Sequence, residues 1–133
     1  MIVVDTNTIG YLYLGSDRSI QAEQALFKDA DWAAPILWRS ELRNVLVKYI
    51  RNRWLSLEDA AQVMDEAITL MRDREFEVSS LQVLSLAALS NCSAYDCEFV
   101  ALARALEVPL VTVDRQVLKQ FAETAVSLED FVT

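Results

Sequence analysis

Four carboxylates stand where one acidic site can be assembled from them. Asp5 ends the apolar run Ile2-Val3-Val4, and Asp114 ends Leu110-Val111-Thr112-Val113. Asp96 falls in the first turn of a helix opened by Ser93, and Glu41 stands near the start of another helix. Short runs of consecutive, mostly β-branched residues read as strands buried on both faces, the pattern of a parallel sheet. In open α/β sheets ligands bind at the carboxyl ends of strands, where the following helices begin. Asp5, Asp96 and Asp114 can therefore converge on one sheet edge, with Glu41 joining from the helix after a neighbouring strand.

Gathering carboxylates is costly. At about 4 Å and an effective dielectric near 20, each like-charge pair costs roughly 4 kcal/mol. A hard divalent cation relieves that cost, and Mg²⁺ or Mn²⁺ prefers carboxylate and water oxygens. A pair of such ions can activate a water and stabilise the leaving oxygen of a phosphodiester. This chemistry needs no histidine, and the chain contains none. That absence removes Ser-His-Asp and Cys-His catalysis and all histidine metal ligation. Thr6, Asn7, Ser93 and Thr112 would suit a second layer that orients the carboxylates, and equally suit ordinary turn and cap chemistry. Each acid also has a plainer role open to it. Asp5 and Asp114 suit helix N-caps, Ser93-Ala94-Tyr95-Asp96 forms a capping box, and Glu41 can pair with an arginine of its own helix.

The elements that must position these residues follow from periodicity. A short helix or turn is expected over Thr6 to Leu14, and helices over Ile20 to Asp29 (capped by Ser19 or Asp17, with Ile20, Ala22, Ala25, Leu26 and part of Phe27 inward) and Ile36 to Trp54. In the last of these Trp38, Leu42, Val45, Leu46, Tyr49 and Ile50 recur at three- and four-residue steps. Ser56-Leu57-Glu58-Asp59 opens a partner helix reaching Met71, making a helical hairpin. Further helices are expected over Leu81 to Leu89, Ala94 to Leu106 and Asp114 to Glu123, with a terminal turn over Ser127 to Phe131. Strands are expected at Trp32 to Ala34, Phe76 to Val78, Leu110 to Val113 and Ala125-Val126. Strands alternating with helices argue for an α/β fold, a parallel sheet with helices on both faces.

Composition bounds the rest. The 133 residues are 53% hydrophobic with only two glycines and two prolines, which suits one helix-rich domain spanning 1–133. No apolar run approaches a membrane span and no export leader is seen, so a cytoplasmic location is expected. Cys92 and Cys97, the only cysteines, lack disulfide or metal-ligand spacing and read as small core residues. The net charge of −8 opposes simple nucleic-acid binding through the overall field. Bound cations at four carboxylates would neutralise half of that excess. The helix after Pro35 is the one basic segment, and its Arg39 and Arg43 are candidates for contact with RNA or an acidic partner.

The flanking residues sharpen this. Asp5-Thr6-Asn7 after an apolar strand, Glu41 early in a helix, Ser93-Ala94-Tyr95-Asp96-Cys97-Glu98-Phe99-Val100-Ala101-Leu102-Ala103 and Pro109-Leu110-Val111-Thr112-Val113-Asp114 resemble a PIN domain, most of all the VapC-type toxins of toxin–antitoxin pairs. The resemblance covers essentially the whole chain. It implies a three-layer α/β/α fold and a Mg²⁺- or Mn²⁺-dependent endoribonuclease, with Asp5, Glu41, Asp96 and Asp114 at the family's four acidic positions. Asn7 and Thr112 match polar positions beside the site. It also implies a homodimer and a cognate antitoxin. Some members carry a further acid after the last aspartate; here Arg115 and Gln116 follow, so no fifth ligand is expected there.

The alternative is a non-catalytic or regulatory interaction domain with an acidic metal-binding pocket, such as a phosphoacceptor receiver. A receiver needs an aspartate ending a mid-chain strand and a lysine ending a late one. Here Pro35 and Ser79 follow the middle strands, and Asp114 follows the late one. Dinucleotide binding is disfavoured, because Gly10 and Gly15 make no phosphate-binding loop.

Overall fold

The computed structural model describes Met1 to Thr133. Strand β1 (Ile2–Val4) leads into α1 (Thr6–Tyr13) and α2 (Ser19–Lys28). Strand β2 (Trp32–Pro35) is followed by α3 (Leu37–Arg51) and α4 (Leu57–Met71), and β3 (Glu75–Phe76) by α5 (Ser80–Ala88) and α6 (Ala94–Leu106). The chain closes with β4 (Leu110–Thr112), α7 (Arg115–Gln120), β5 (Ala125–Ser127) and α8 (Leu128–Val132).

All five strands are parallel, in the order β3-β2-β1-β4-β5. Val3 lies opposite Ala33 on one side and Leu110 on the other. Every residue of β1, β2 and β4 is buried, as their unbroken apolar runs require in the middle layer of a three-layer α/β/α fold. Chain order reverses direction across the sheet between β1 and β4. That is the topological switch point, where a crevice opens beyond the strand ends, and Asp5 and Asp114 follow those two strands.

A cluster of 29 buried residues forms the core. Helix α6 runs against β1, β2 and β4 and buries Cys97, Phe99, Val100, Ala101, Leu102 and Ala103. Helix α3 buries the stripe Trp38, Leu42 and Leu46, leaving Val45, Tyr49 and Ile50 partly covered. Helix α4 packs against it as the expected hairpin, opened by Ser56 Oγ accepting from Asp59 N–H at 3.0 Å. No helix is long and apolar enough to cross a membrane.

Several boundaries differ from the sequence reading. Neither Ser19 nor Asp17 caps α2. Ser19 is its first residue, and its hydroxyl donates back to the Leu14 carbonyl while accepting from Ser16 N–H. Only Ala22 and Ala25 of α2 are buried, and Ile20 and Phe27 point outward, 68% and 95% exposed. Small residues let α2 approach α1 and α8 closely, which turns its larger apolar side chains away. Helix α3 stops at Arg51 because Asn52 caps it and Arg53 turns to φ 60°. Pro35 belongs to β2, since the donors toward β3 are Ala34 and Ile36 and the missing N–H falls on the other side. Strand β3 is Glu75–Phe76 only, and α7 ends at Gln120 rather than Glu123.

The cysteines are buried and free. Cys92 lies just before the Ser93 cap and Cys97 four residues into the helix, the two positions that pack over a helix start. Burial raises both thiols, and Cys97 adds to the shift at Cys92. The rule that residues five apart face different ways holds within a helix, and Cys92 lies outside it.

Candidate active site

Asp5 begins as a helix cap. Its Oδ1 accepts from Thr8 N–H at 2.8 Å, closing the open first turn of α1. The same oxygen accepts from the Thr8 hydroxyl at 2.6 Å. Its Oδ2 accepts from the Thr112 hydroxyl at 2.6 Å and from Val113 N–H at 3.1 Å. A carboxylate offers about four lone-pair directions, and Asp5 has a protein donor for each.

Thr112 is 1% exposed and links the two strand ends. Its oxygen accepts from Asp114 N–H at 3.1 Å while its proton goes to Asp5. Asp114 in turn caps α7, its Oδ1 accepting from Val117 N–H at 2.8 Å. Asp96 lies in the first turn of α6, and its backbone N–H donates to Ser93 Oγ at 3.0 Å. The cap therefore uses the Asp96 backbone as donor. Glu41, one turn into α3, accepts from the Thr6 hydroxyl at Oε1 over 2.7 Å and makes no ion pair with an arginine.

Asp5, Glu41, Asp96 and Asp114 line one cavity of about 230 Å³ with Thr6, Asn7 and Thr112. No lysine or arginine lines it. Burial raises Glu41 above the usual carboxylate range, with Asp96, Asp5 and Glu98 adding to the shift against the Thr6 hydrogen bond. Burial raises Asp96 as well, with Asp114 and then Asp5 adding to it and Ser93 opposing. These are two signatures of crowded acids in a sheltered place: desolvation and like charge.

The donor set fits a hard divalent cation: carboxylate oxygens with no competing positive side chain on the lining. The acids do not close into a finished cage, because no three such side chains are grouped tightly enough to enclose an ion.

The remaining sequence candidates divide. Ser93 acts through its cap and lies off the cavity lining. Asn7 lines the cavity and is exposed. Arg39 is committed elsewhere, gripping Glu75 of β3 through Nε and Nη2 at 2.6 Å each, while Trp38 Nε1 donates to the same carboxylate at 2.8 Å. Arg43 is exposed and makes no ion pair. Two polar residues were not singled out from sequence. Asn44 lines the cavity one turn after Glu41, a spacing that could have marked it. Thr8 is wholly buried, and nothing in the sequence distinguishes it from a core threonine.

The family model of the PIN domain matches residues 2–125. The chain belongs to the PIN domain family. Among curated relatives, it is 28% identical over 123 residues to Ribonuclease VapC3 of Pyrobaculum aerophilum, covering 90% of this chain and 94% of that one. Among solved structures, PAE2754 from the same organism superimposes with a TM-score of 0.78 at 20% identity, covering 98% of this PIN domain chain and 92% of that one. A toxin–antitoxin complex from Klebsiella pneumoniae gives 0.72 at 17% identity, covering 96% and 98% respectively. Ribonuclease VapC1 of Mycobacterium tuberculosis is 30% identical over 112 residues, covering 84% of this chain and 84% of that one, and with it the PIN domain is of the VapC type.

Proposed function

We propose that this PIN domain is a Mg²⁺- or Mn²⁺-dependent endoribonuclease and the toxin of a toxin–antitoxin pair. The observation that carries the reading is the single cavity lined by Asp5, Glu41, Asp96 and Asp114 with no basic residue beside them. These four side chains would hold the metal, Asp5 by exchanging one of its four protein donors for the ion. A bound divalent cation supplies Lewis acidity toward a phosphodiester and lowers the pKa of a nearby water.

The chain's own residues do the rest. Thr112 and Thr8 hold Asp5 in orientation, and Thr6 holds Glu41 by Oε1. Glu41 Oε2 carries no protein donor and is the atom we assign to accept a proton from attacking water. Burial raises its pKa, which makes the carboxylate a better proton acceptor. Arg43 is the exposed cation available to an RNA backbone, a role in which Arg39 is limited by Glu75.

The name of the VapC3 relative and the complex in which the Klebsiella neighbour is found support the RNA substrate and the antitoxin partner. We read residues 1–133 as one domain acting in the cytoplasm. A homodimer is supported by the uncharged helix α5, whose Leu81, Leu84 and the following Leu89 are 76%, 64% and 87% exposed.

The test is cleavage of a mixed RNA pool by purified protein in Mn²⁺, with excess chelator, and with Asp114→Asn. Cutting that is lost with chelator and in the folded variant is the expected result. Undiminished cutting in either arm would overturn the proposal.

A further inference from the structure

A second, smaller cavity opens beside the acidic one and shares Thr6, Asn7 and Val45 with it. Tyr11 and Tyr49 stand in its wall with Gly10, Leu14 and Leu42, and no charged side chain lines it. It holds about 90 Å³ and opens to solvent, room for one planar ring and not for a whole nucleotide. Helix α1 rises about 1.5 Å per residue, so Tyr11 lies about 9 Å along its axis from the Asp5 cap, the span from a nucleotide's phosphate to its base. Both tyrosines are partly buried against the core, and neither hydroxyl is buried without a partner. Trp54 meets the Tyr49 ring edge-to-face with centroids 5.4 Å apart, which fixes that ring. Burial raises the Tyr11 hydroxyl, the Asp5 charge and then Tyr49 add to the shift and Arg18 opposes it, so this phenol is within electrostatic reach of the acids and of the second tyrosine. Gly10 marks the cavity as more than a packing gap. It stands inside α1 without a positive φ, where glycine is less stable than alanine. A Cβ there would meet only Leu42 Cδ1 at 3.7 Å and Leu14 Cδ1 at 3.9 Å, ordinary contact with two residues of the cavity wall. Neither backbone conformation nor packing calls for glycine; what the missing Cβ preserves is the open cavity.

We propose that this cavity is a nucleobase subsite: one base of a single-stranded RNA stacks on Tyr11 and Tyr49 and meets the Asn7 amide at its edge, while the attached phosphate lies at the four acids. The inference rests on the ribonuclease reading of the acidic cavity and names what that site selects. Single-stranded RNA is recognised through bases splayed onto aromatic side chains, with their edges hydrogen-bonded. Every base has a π-face, so stacking supplies affinity without charge. A chain of net charge −8 gains little from phosphate attraction, and stacking is the uncharged route by which it holds its substrate.

The experiment is cleavage of a random-sequence single-stranded RNA pool by the full chain in Mn²⁺, with the product ends sequenced, for wild type, Tyr11→Leu, Tyr11→Phe and Gly10→Ala. Mn²⁺ calorimetry and thermal unfolding accompany each protein. Wild type is expected to cut beside a preferred base. Tyr11→Leu and Gly10→Ala should bind Mn²⁺ as wild type does, lose about 5- to 100-fold in kcat/KM and flatten the base preference. Tyr11→Phe keeps the ring and should stay within about threefold of wild type. Gly10→Ala should melt no lower than wild type, so it carries the test alone if Tyr11→Leu fails to fold. Unchanged rate and base preference in the folded variants would overturn the subsite and leave the nuclease standing, which is also the outcome if the cavity takes a side chain of a protein partner. Failure of wild type to cut RNA in Mn²⁺ would overturn the ribonuclease reading, and this inference with it.

Discussion

Asp96→Asn separates a metal site from a helix cap, because the two roles predict opposite changes. The capping bond at this residue comes from its backbone N–H to Ser93 Oγ and survives the substitution. What the substitution removes is one negative charge from a cavity shared with Asp5, Glu41 and Asp114. At about 6 Å and an effective dielectric near 20, a like-charge pair costs roughly 3 kcal/mol. Asp96 is only about half-buried, so solvent screening reduces the relief to roughly 1 kcal/mol. The metal-free variant should therefore be more stable than wild type, by about 3–5 °C in Tm for a chain of this size. Mn²⁺ at about ten times its Kd should raise wild type by roughly 1.4 kcal/mol and leave the variant nearly unmoved. The assay is thermal unfolding of both proteins after exhaustive chelation, then with Mn²⁺ restored. A metal-free variant that melts below wild type and still responds fully to Mn²⁺ would refute the reasoning. Asp96 would then be a structural acid and nothing more.

Four further outcomes follow from the same geometry. Burial and neighbouring carboxylates hold Glu41 and Asp96 above their ordinary values of 4.5 and 3.8. Their contribution to stability is complete below those values and is lost as pH rises through the raised folded ones, so metal-free protein should melt higher at about pH 5 than at about pH 7.5. Saturating Mn²⁺ should reverse that order and release protons on binding, measurable by calorimetry in buffers of different ionisation enthalpy. Glu75 is lowered by its hydrogen bonds from Arg39 against its burial, so its contribution is complete above 4.5 and lost as pH falls through the lowered value; Glu75→Gln should flatten the acid limb of the same curve. Thr112→Val removes a buried hydroxyl that serves both Asp5 and Asp114, and should cost about 2–3 kcal/mol in urea unfolding. Leu84→Glu on the exposed face of α5 should shift the mass seen by light scattering toward the monomer without changing the circular dichroism.

How much of this was legible beforehand can be judged residue by residue. The strands at Ile2–Val4 and Leu110–Thr112 were readable because a strand buried on both faces leaves an unbroken apolar run, and the serines at 56 and 93 were readable because a cap is a local event. That the four acids could share one cavity was readable from position, since Asp5 and Asp114 follow strands, Asp96 lies in the first turn of a helix and Glu41 lies one turn into another. The inward face of α2 was misjudged at Ile20 and Phe27, because hydrophobicity says what can be buried and only the neighbours α1 and α8 say how close the helix must come. Helix ends at Arg51 and Gln120 were overrun for a similar reason: the periodic pattern continues past the point where Asn52 and Phe121 leave helical geometry.

Residue type and local order account for the acidic character of the cavity, the lack of any histidine, the alternation of strand and helix, and the carboxylates that follow β1 and β4. Tertiary structure alone decided the rest. It set the order β3-β2-β1-β4-β5, which brings Asp5 and Asp114 together across 109 positions, the difference of their numbers. It gave Arg39 to Glu75 and left Arg43 free. It also turned an ordinary threonine at position 8 toward a carboxylate. Each of these depends on which groups meet after the chain has crossed over itself, and the free energy of such a meeting is a property of the pair, invisible in either residue alone.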